Sequence, residues 1–279
     1  MLEIIRVGGL TTVQDHGRPG HAHLGVPPSG AVDRPALDLA NRIVGNSPET
    51  AGLEITLGGL VLRAAVPLTV ALTGAPGPLR VGSRPAPLGT AVALKAGSLL
   101  TIGYAESGLR RYLAVAGGVA VPPVLGSRST DTLSGLGPPP LRSGDRLAVG
   151  SPAGPPSGVD CAGVAAIPGE LLVGVRFGPR DGWFTDPTQL LRHAYQVSLM
   201  SDRVAARLTG PEVTRADLGE LPSEPVVTGA IQVPADGRPL IFLTDHPTTG
   251  GYPVIAVVDE KEVPRLAQAR PGTSVRFHL

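Results

Sequence analysis

The sequence predicts a mainly β protein: two related β-barrel domains, a linker between them, and a few short helices. Three observations predict it. Glycine and proline, 38 and 30 of the 279 residues, punctuate apolar runs at short intervals instead of forming a low-complexity tract. That is how many short strands joined by turns read. The runs between them are rich in Val, Ile, Leu and Thr, which favour strands. The two halves also echo each other weakly at an offset near ~170 residues, which fits two related β units. Aromatic residues are only 3% of the chain, so the core has to be built from Val, Leu, Ile and Ala.

Residues 2–7 and 10–14 are apolar and β-branched around Gly8-Gly9 and read as two strands. A stiff polar stretch follows, from Gln14 to Arg34. Gly20, Gly25 and Gly30 can take positive φ, and Pro27 and Pro28 fix φ and offer no ladder donor. It displays Asp15, Arg18, Ser29 and Asp33, and reads as a ligand-holding loop or as a tight crossover into a helix. Asp33-Arg34-Pro35 opens that helix, with Asp33 as its cap and Pro35 in the first turn. Leu37, Ala40, Ile43 and Val44 form one apolar face, and Gly45-Asn46 closes it.

Strands then follow at Leu53–Leu62, Leu68–Thr73, Ala91–Leu94, Leu99–Tyr104, Tyr112–Val115 and Arg146–Val149. Their density predicts a closed or nearly closed barrel. Leu125 to Asp131 is a polar loop within it. Residues 151–169, rich in Gly, Pro and Ala, read as a linker between domains 1–150 and 170–279. The second domain reads as a strand at Leu171–Phe177, a short helix from Asp186 to His193, and a strand at Tyr195–Leu199. A short helix is then predicted from Asp202 to Gly210. Strands at Val226–Val233, Leu240–Thr244 and Val254–Val258 follow, then a helix at Pro264–Ala269 and a last strand at Ser274–His278. The echo pairs Asp33-Arg34 with Asp202-Arg203, Glu54 with Glu224, Gly59 with Gly229 and Pro67 with Pro239. A site between two such halves is the expectation.

The formal charge is +1, with both signs mixed along the chain. No basic stripe or aromatic platform argues for nucleic acid. A single cysteine, Cys161, excludes an internal disulfide framework and a cysteine-based zinc site, and its place in the linker makes it a poor nucleophile. Met1 to Arg6 lacks the apolar core of a signal peptide, and no run approaches the ~18 apolar residues of a membrane span. The expectation is a cytoplasmic protein that meets neither membrane nor nucleic acid.

No phosphate-binding G-x-x-x-x-G-K-[ST] and no strand-to-helix G-x-G-x-x-G is present. His21 and His23 could share one face of a strand and ligate a metal, but no third ligand follows at a useful spacing, and surface histidines are the preferred reading: no metal is expected. Asp245 to Pro253 is a second dense polar loop. Thr248 and Thr249 offer hydroxyls, Tyr252 a phenol, and Gly250-Gly251 could form an oxyanion nest or simply a turn. Glu54, Glu224 and Asp202 stand among apolar strands or at a helix start and must be paired or capping. Arg18, Arg34, Arg128 and Arg203 are the expected partners. No G-x-S-x-G elbow and no serine triad is visible.

Several runs, in order along nearly the whole chain, carry a resemblance. They are Thr12-Val13-Gln14-Asp15 with Gly17-Arg18, Gly25-Val26-Pro27 with Ser29-Gly30-Ala31, Val44-Gly45-Asn46, Leu53-Glu54-Ile55, Leu125 to Thr130, Ser201-Asp202-Arg203, Gly229 to Pro234 and Thr248 to Pro253. This pattern resembles the family of allophanate hydrolase subunit 2, the C-type subunit of bacterial 5-oxoprolinase, and the carboxyltransferase domain of urea carboxylase. The resemblance implies a cyclophilin-like architecture of two β-barrel domains. It implies one component of an ATP-dependent 5-oxoprolinase, opening the lactam of 5-oxoproline to glutamate. ATP is then a substrate of the complex. The implied partners are a B-type protein (allophanate hydrolase subunit 1-like) and an A-type, lactam-utilisation protein. On this resemblance Gln14, Asp15 and Glu224 are the candidate catalytic residues. Arg18, Ser29, Gly30, Arg128, Gln232, Thr248, Thr249 and Tyr252 are the candidate substrate contacts. Ala205 and Pro247 depart from the family pattern, where glycine and glutamine are usual. Two alternatives stay open: a biotin-dependent carboxyltransferase acting on a urea-like amide, and a non-catalytic protein that sequesters a regulatory partner.

Overall fold

The structure is a computed structural model and describes residues 1–158, 162 and 168–279. Cys161 lies outside the described residues. The chain forms two compact units. The first comprises Met1–Arg18, Asp33–Asp131 and Gly135–Ile167; the second comprises Pro19–Val32, Thr132–Ser134 and Pro168–Leu279. Two short segments from the N-terminal half, 19–32 and 132–134, therefore belong to the C-terminal unit.

The first unit opens with β1 (Leu2–Arg6), β2 (Thr11–Gln14), α1 (Arg34–Ile43), β3 (Gly52–Thr56), β4 (Leu60–Ala64) and β5 (Leu68–Gly74). It continues with β6 (Leu79–Val81), β7 (Arg84–Pro85), β8 (Val92–Leu94), β9 (Leu99–Ile102), β10 (Arg110–Val115) and β11 (Arg146–Leu147). The expected single barrel over 53–149 resolves into two antiparallel sheets, ordered β11-β1-β4-β9-β6-β7 and β2-β3-β10-β5-β8. Alternation explains why they stack. Leu2, Ile4, Leu60 and Leu62 from one sheet and Val13, Leu53, Ile55 and Leu113 from the other form one buried cluster. The β6–β7 hairpin turns at Gly82 (φ 57°) and is too short to stand out in the sequence.

The other face of the second sheet carries α1. Thr73 Oγ1 donates to Ala36 O, and Ala40 and Ile43 pack with Ala71 and Ala114. Asp33 caps the helix as read: its Oδ1 accepts from Ala36 N at 3.1 Å. Asn46 locks the exit, donating to Val115 O and accepting from Gly117 N. Asp33→Ala is expected to lower stability by about 1 kcal/mol. A urea midpoint that does not move would show the cap to be idle.

The second unit holds β12 (Glu170–Phe177), α2 (Gln189–Arg192), β13 (Ala194–Val197), β14 (Ala205–Thr209), β15 (Glu224–Pro225) and β16 (Ala230–Gln232). Then come β17 (Leu240–Phe242), β18 (Thr249–Gly250), β19 (Val254–Val258), α3 (Val263–Ala267) and β20 (Ser274–His278). Seven of these strands close a barrel in the order β12-β19-β16-β17-β14-β13-β20. Its β12–β20 pair is parallel and its other pairs are antiparallel. Leu171, Val173, Tyr195, Leu208, Ile255 and Phe277 fill its interior, with Leu266 of α3. Mainly β architecture with few short helices is thus as read from the sequence.

Three readings are corrected. The helix predicted from Asp202 to Gly210 is strand β14. Asp202 Oδ1 accepts from Val204 N and Ala205 N, a turn that starts a strand as readily as a helix, and pairing with both β13 and β17 decides the matter. The echo of α1 in the second half therefore fails, whereas β4 and β16 do both follow Gly59 and Gly229. The stretch 151–158 is also no free tether. Ser157 N donates to Ile43 O, and a Cβ on Gly45 would meet Pro155 O at 2.3 Å, so the chain lies tight against the end of α1. Finally, His21 precedes and His23 lies within a short 3₁₀ turn, Ala22–Leu24, so the two do not share a strand face and the preferred reading of surface histidines is kept.

Candidate functional site

Glu54 has partners other than those expected. It sits opposite Tyr112 in the β3–β10 register and accepts from the Tyr112 hydroxyl at 2.8 Å. Arg110, two residues back on the same face of β10, lies 3.5 Å from it. Tyr112 in turn accepts from Asp33 N at 2.8 Å. Burial, and then the Glu54 and Asp33 charges, push this phenol well above its usual range, so it stays a donor. The trio anchors the first residue of the α1 cap.

The polar candidates of the first unit converge on one loop. Asp15, just past β2, receives four hydrogen bonds: Gly17 N, Ser127 Oγ and Ser129 Oγ to Oδ1, and Arg128 N to Oδ2. All four are 2.6–2.7 Å long. The backbone of Asp15 returns the contact, its N donating to Ser129 Oγ. Leu125 takes φ 50° and Gly126 φ 81°, so the loop is held in a conformation most side chains resist. Arg128 is half-buried and donates Nε to Val121 O. Gln14 is fully buried; its Nε2 donates to Thr12 Oγ1 and Thr130 O. Arg18, 1% exposed, donates to Val124 O and to Ser129 O. Gln14 Oε1 and Arg18 Nη1 are buried without a hydrogen-bond partner.

In the second unit, Ser29 and Gly30 are organised by a buried ion pair. Arg203 meets Asp245 through two bonds, Nε–Oδ2 at 2.9 Å and Nη2–Oδ1 at 3.0 Å, with both side chains out of solvent. Asp245 also accepts from Ser29 Oγ (2.8 Å) and from Thr132 N and Oγ1 (2.9 and 2.7 Å). Arg203 also donates to Gly30 O at 2.7 Å. Burial opposes ionisation of Asp245 most strongly, but the Arg203 charge and the hydrogen bonds together hold its carboxyl below the usual value. Ser29 is buried at φ 53°, a strain the surrounding bonds sustain. Sequence reasoning marked Arg203 as a pairing residue and Asp245 as part of a polar loop. It did not join them.

The remaining candidates form a second group in that unit. Glu224 pairs with Arg180, on two hydrogen bonds that hold its carboxyl below the usual range. Neither Arg18 nor Arg128 is that partner. Glu224 faces Gly250 across the β15–β18 pair. Gln232 Nε2 donates to Tyr252 O at 2.8 Å. Gly250 and Gly251 lack positive φ, so an alternating-handed nest is not built here. Glycine is needed for space: a Cβ on Gly250 would lie 2.7 Å from Gln232 Nε2. Thr249 and Tyr252 are exposed, and Thr248 O accepts from Val226 N.

Among the described residues no group of three or more His, Cys, Asp or Glu could hold a metal ion. Among them, too, no helix is long and apolar enough to cross a membrane. A cavity of about 470 Å³ in the first unit, lined by Pro67, Leu68, Ala93, Leu94, Val149 and Pro152 among others, includes none of the candidate residues.

The model of the carboxyltransferase domain, subdomain A and B, matches residues 24–279. The C-type subunit of 5-oxoprolinase from Escherichia coli K12 is 40% identical over 99% of this chain and 90% of that protein. Urea amidolyase of Saccharomyces cerevisiae is 34% identical over 99% of this chain but only 16% of its own length. The crystal structure of TTHA0988 superposes with a TM-score of 0.90 at 35% identity, covering all of this chain and 55% of that one. With the match extending through both units, the chain belongs to the carboxyltransferase-domain family, subdomains A and B.

Proposed function

We propose that this chain is the C-type component of an ATP-dependent 5-oxoprolinase, hydrolysing the lactam of 5-oxoproline to glutamate together with B-type and A-type partners. One observation supports the reading most directly: the likeness to the 5-oxoprolinase protein of Escherichia coli spans 90% of that protein's length, against 16% of urea amidolyase. A lactam carbonyl is stabilised by resonance, and ATP in the complex supplies the activation that makes it attackable. This chain supplies binding groups. In the first unit Arg18, Arg128 and Gln14 offer donors and an acceptor suited to a small carboxylated amide. In the second, Thr248, Thr249 and Tyr252 offer hydroxyls, Ser29 is committed to Asp245 and shapes the loop, and Gln232 holds the Thr248–Tyr252 loop in place. Asp15 acts through the Ser127–Ser129 loop and is a positioning residue. Glu224, held by Arg180, serves as a charged neighbour of Gly250.

The test is co-expression with the neighbouring genes for the two partner types, followed by an assay for ATP-dependent glutamate release from 5-oxoproline. Release is expected to require this chain. Release no greater than that of the partners alone would sink the reading. A second reading is favoured by the family description and the urea amidolyase match: carboxyl transfer from biotin on a partner to a urea-like nitrogen. Biotin-dependent incorporation of bicarbonate into urea by the same complex would select it.

A further inference from the structure

Arg18 Nη1 and Gln14 Oε1, both buried in the first unit, lack a hydrogen-bond partner, and their chemistry is complementary. Arg18 is 1% exposed, makes no ion pair with a carboxylate among the described residues, and spends its hydrogen bonds on Val124 O and Ser129 O. Its Nη1 has no acceptor. Gln14 is 0% exposed and its amide orientation is set by two bonds from Nε2, which leaves Oε1 as an acceptor with no donor. The two side chains end on consecutive peptide groups, Gln14 on Thr130 O and Arg18 on Ser129 O. Burying a guanidinium without a counter-charge is costly, and so is burying an amide oxygen without a donor. Gly137 packs closely against this pair of groups: a Cβ on it would lie 3.2 Å from Arg18 Nη2 and 2.0 Å from Ser129 O, so only glycine fits there.

We propose that Gln14 and Arg18 form a subsite for a carboxylate and the N–H on its adjacent carbon. Arg18 Nη1 donates to the carboxylate and Gln14 Oε1 accepts from the nitrogen. A 2-carboxylated lactam presents this pair of groups. So does the α-amino acid formed when the ring opens, because the lactam nitrogen becomes the ammonium on the same carbon. One subsite therefore holds the same end of the molecule before and after hydrolysis, while the bond that breaks lies on the far side of the nitrogen. This assignment rests on the 5-oxoproline reading above.

The test is calorimetric titration of the full chain, alone and in its complex, with 5-oxoproline, N-methyl-5-oxoproline and 2-pyrrolidinone. The wild type is expected to prefer 5-oxoproline to either analogue by about tenfold or more, the scale of one charge-assisted or buried hydrogen bond. Gln14→Met should erase the discrimination against the N-methyl compound alone. Arg18→Met should erase the discrimination against pyrrolidinone alone. If Arg18→Met does not fold, the Gln14→Met comparison decides. Unchanged discrimination in a folded variant, or no binding of 5-oxoproline by the wild type, overturns the subsite and leaves internal water as the partner of both atoms. ATP-dependent glutamate release with unchanged discrimination defeats the subsite and spares the functional reading. The predicted discrimination without glutamate release does the reverse.

Discussion

Asp245→Ala is expected to lower the stability of the second unit by about 3–5 kcal/mol, the range for removing one partner of a buried ion pair. The magnitude follows from what is stranded. Arg203, 2% exposed, loses the carboxylate it pairs with, and Ser29 Oγ, Thr132 N and Thr132 Oγ1 lose their acceptor at the same time. A urea or thermal midpoint measures the loss. The double variant Arg203→Met/Asp245→Leu should recover much of it, since neither charge of the pair is then left behind. A single variant as stable as the wild type would show that the pair contributes nothing. The pH dependence has a definite sign. The Asp245 carboxyl is held below its usual value, so its contribution is complete above the unfolded pKa of about 3.9 and is lost as pH falls through the lower folded value. Acid unfolding of the wild type should therefore steepen below about pH 4. That limb should flatten in Asp245→Ala.

Asp15→Asn is expected to cost about 2–3 kcal/mol and to lower turnover of the complex on the order of 100-fold. Asparagine keeps one oxygen, but four donors now converge on it and on an NH₂ group. A donor facing a donor leaves a buried group unsatisfied. The Ser127–Ser129 loop, which also receives Arg18, should shift with it, and the candidate contacts of the first unit shift together. The loss of turnover should be read at a temperature where circular dichroism shows the variant folded. A normal midpoint with normal turnover would remove Asp15 from both roles.

Much of the strand pattern was legible without coordinates. β20 coincides with the predicted Ser274–His278, β19 with Val254–Val258, and the Asp33 cap was readable because cap, proline and apolar face are all local signals. The failures share a cause. From Asp202 to Gly210 a local turn was right, yet the element after it was decided by hydrogen bonds to β13 and β17, which the local pattern does not contain. Glu54 was recognisably in need of a partner, but its partners were set by the β3–β10 register.

The sequence by itself determined the mainly β class, the stiff Gly- and Pro-set loop and the list of polar residues it displays, because these follow from backbone preferences and alternation. Only the tertiary structure decided how those residues are used. Ser29 meets Asp245 across 216 residues of chain, and Ser127 and Ser129 meet Asp15 across more than a hundred. A carboxylate removed from water must find donors, and which ones it finds depends on strand pairing and loop closure, not on neighbours in sequence. The same pairing leaves Gln14 Oε1 and Arg18 Nη1 without partners, which no reading of residue types alone could single out.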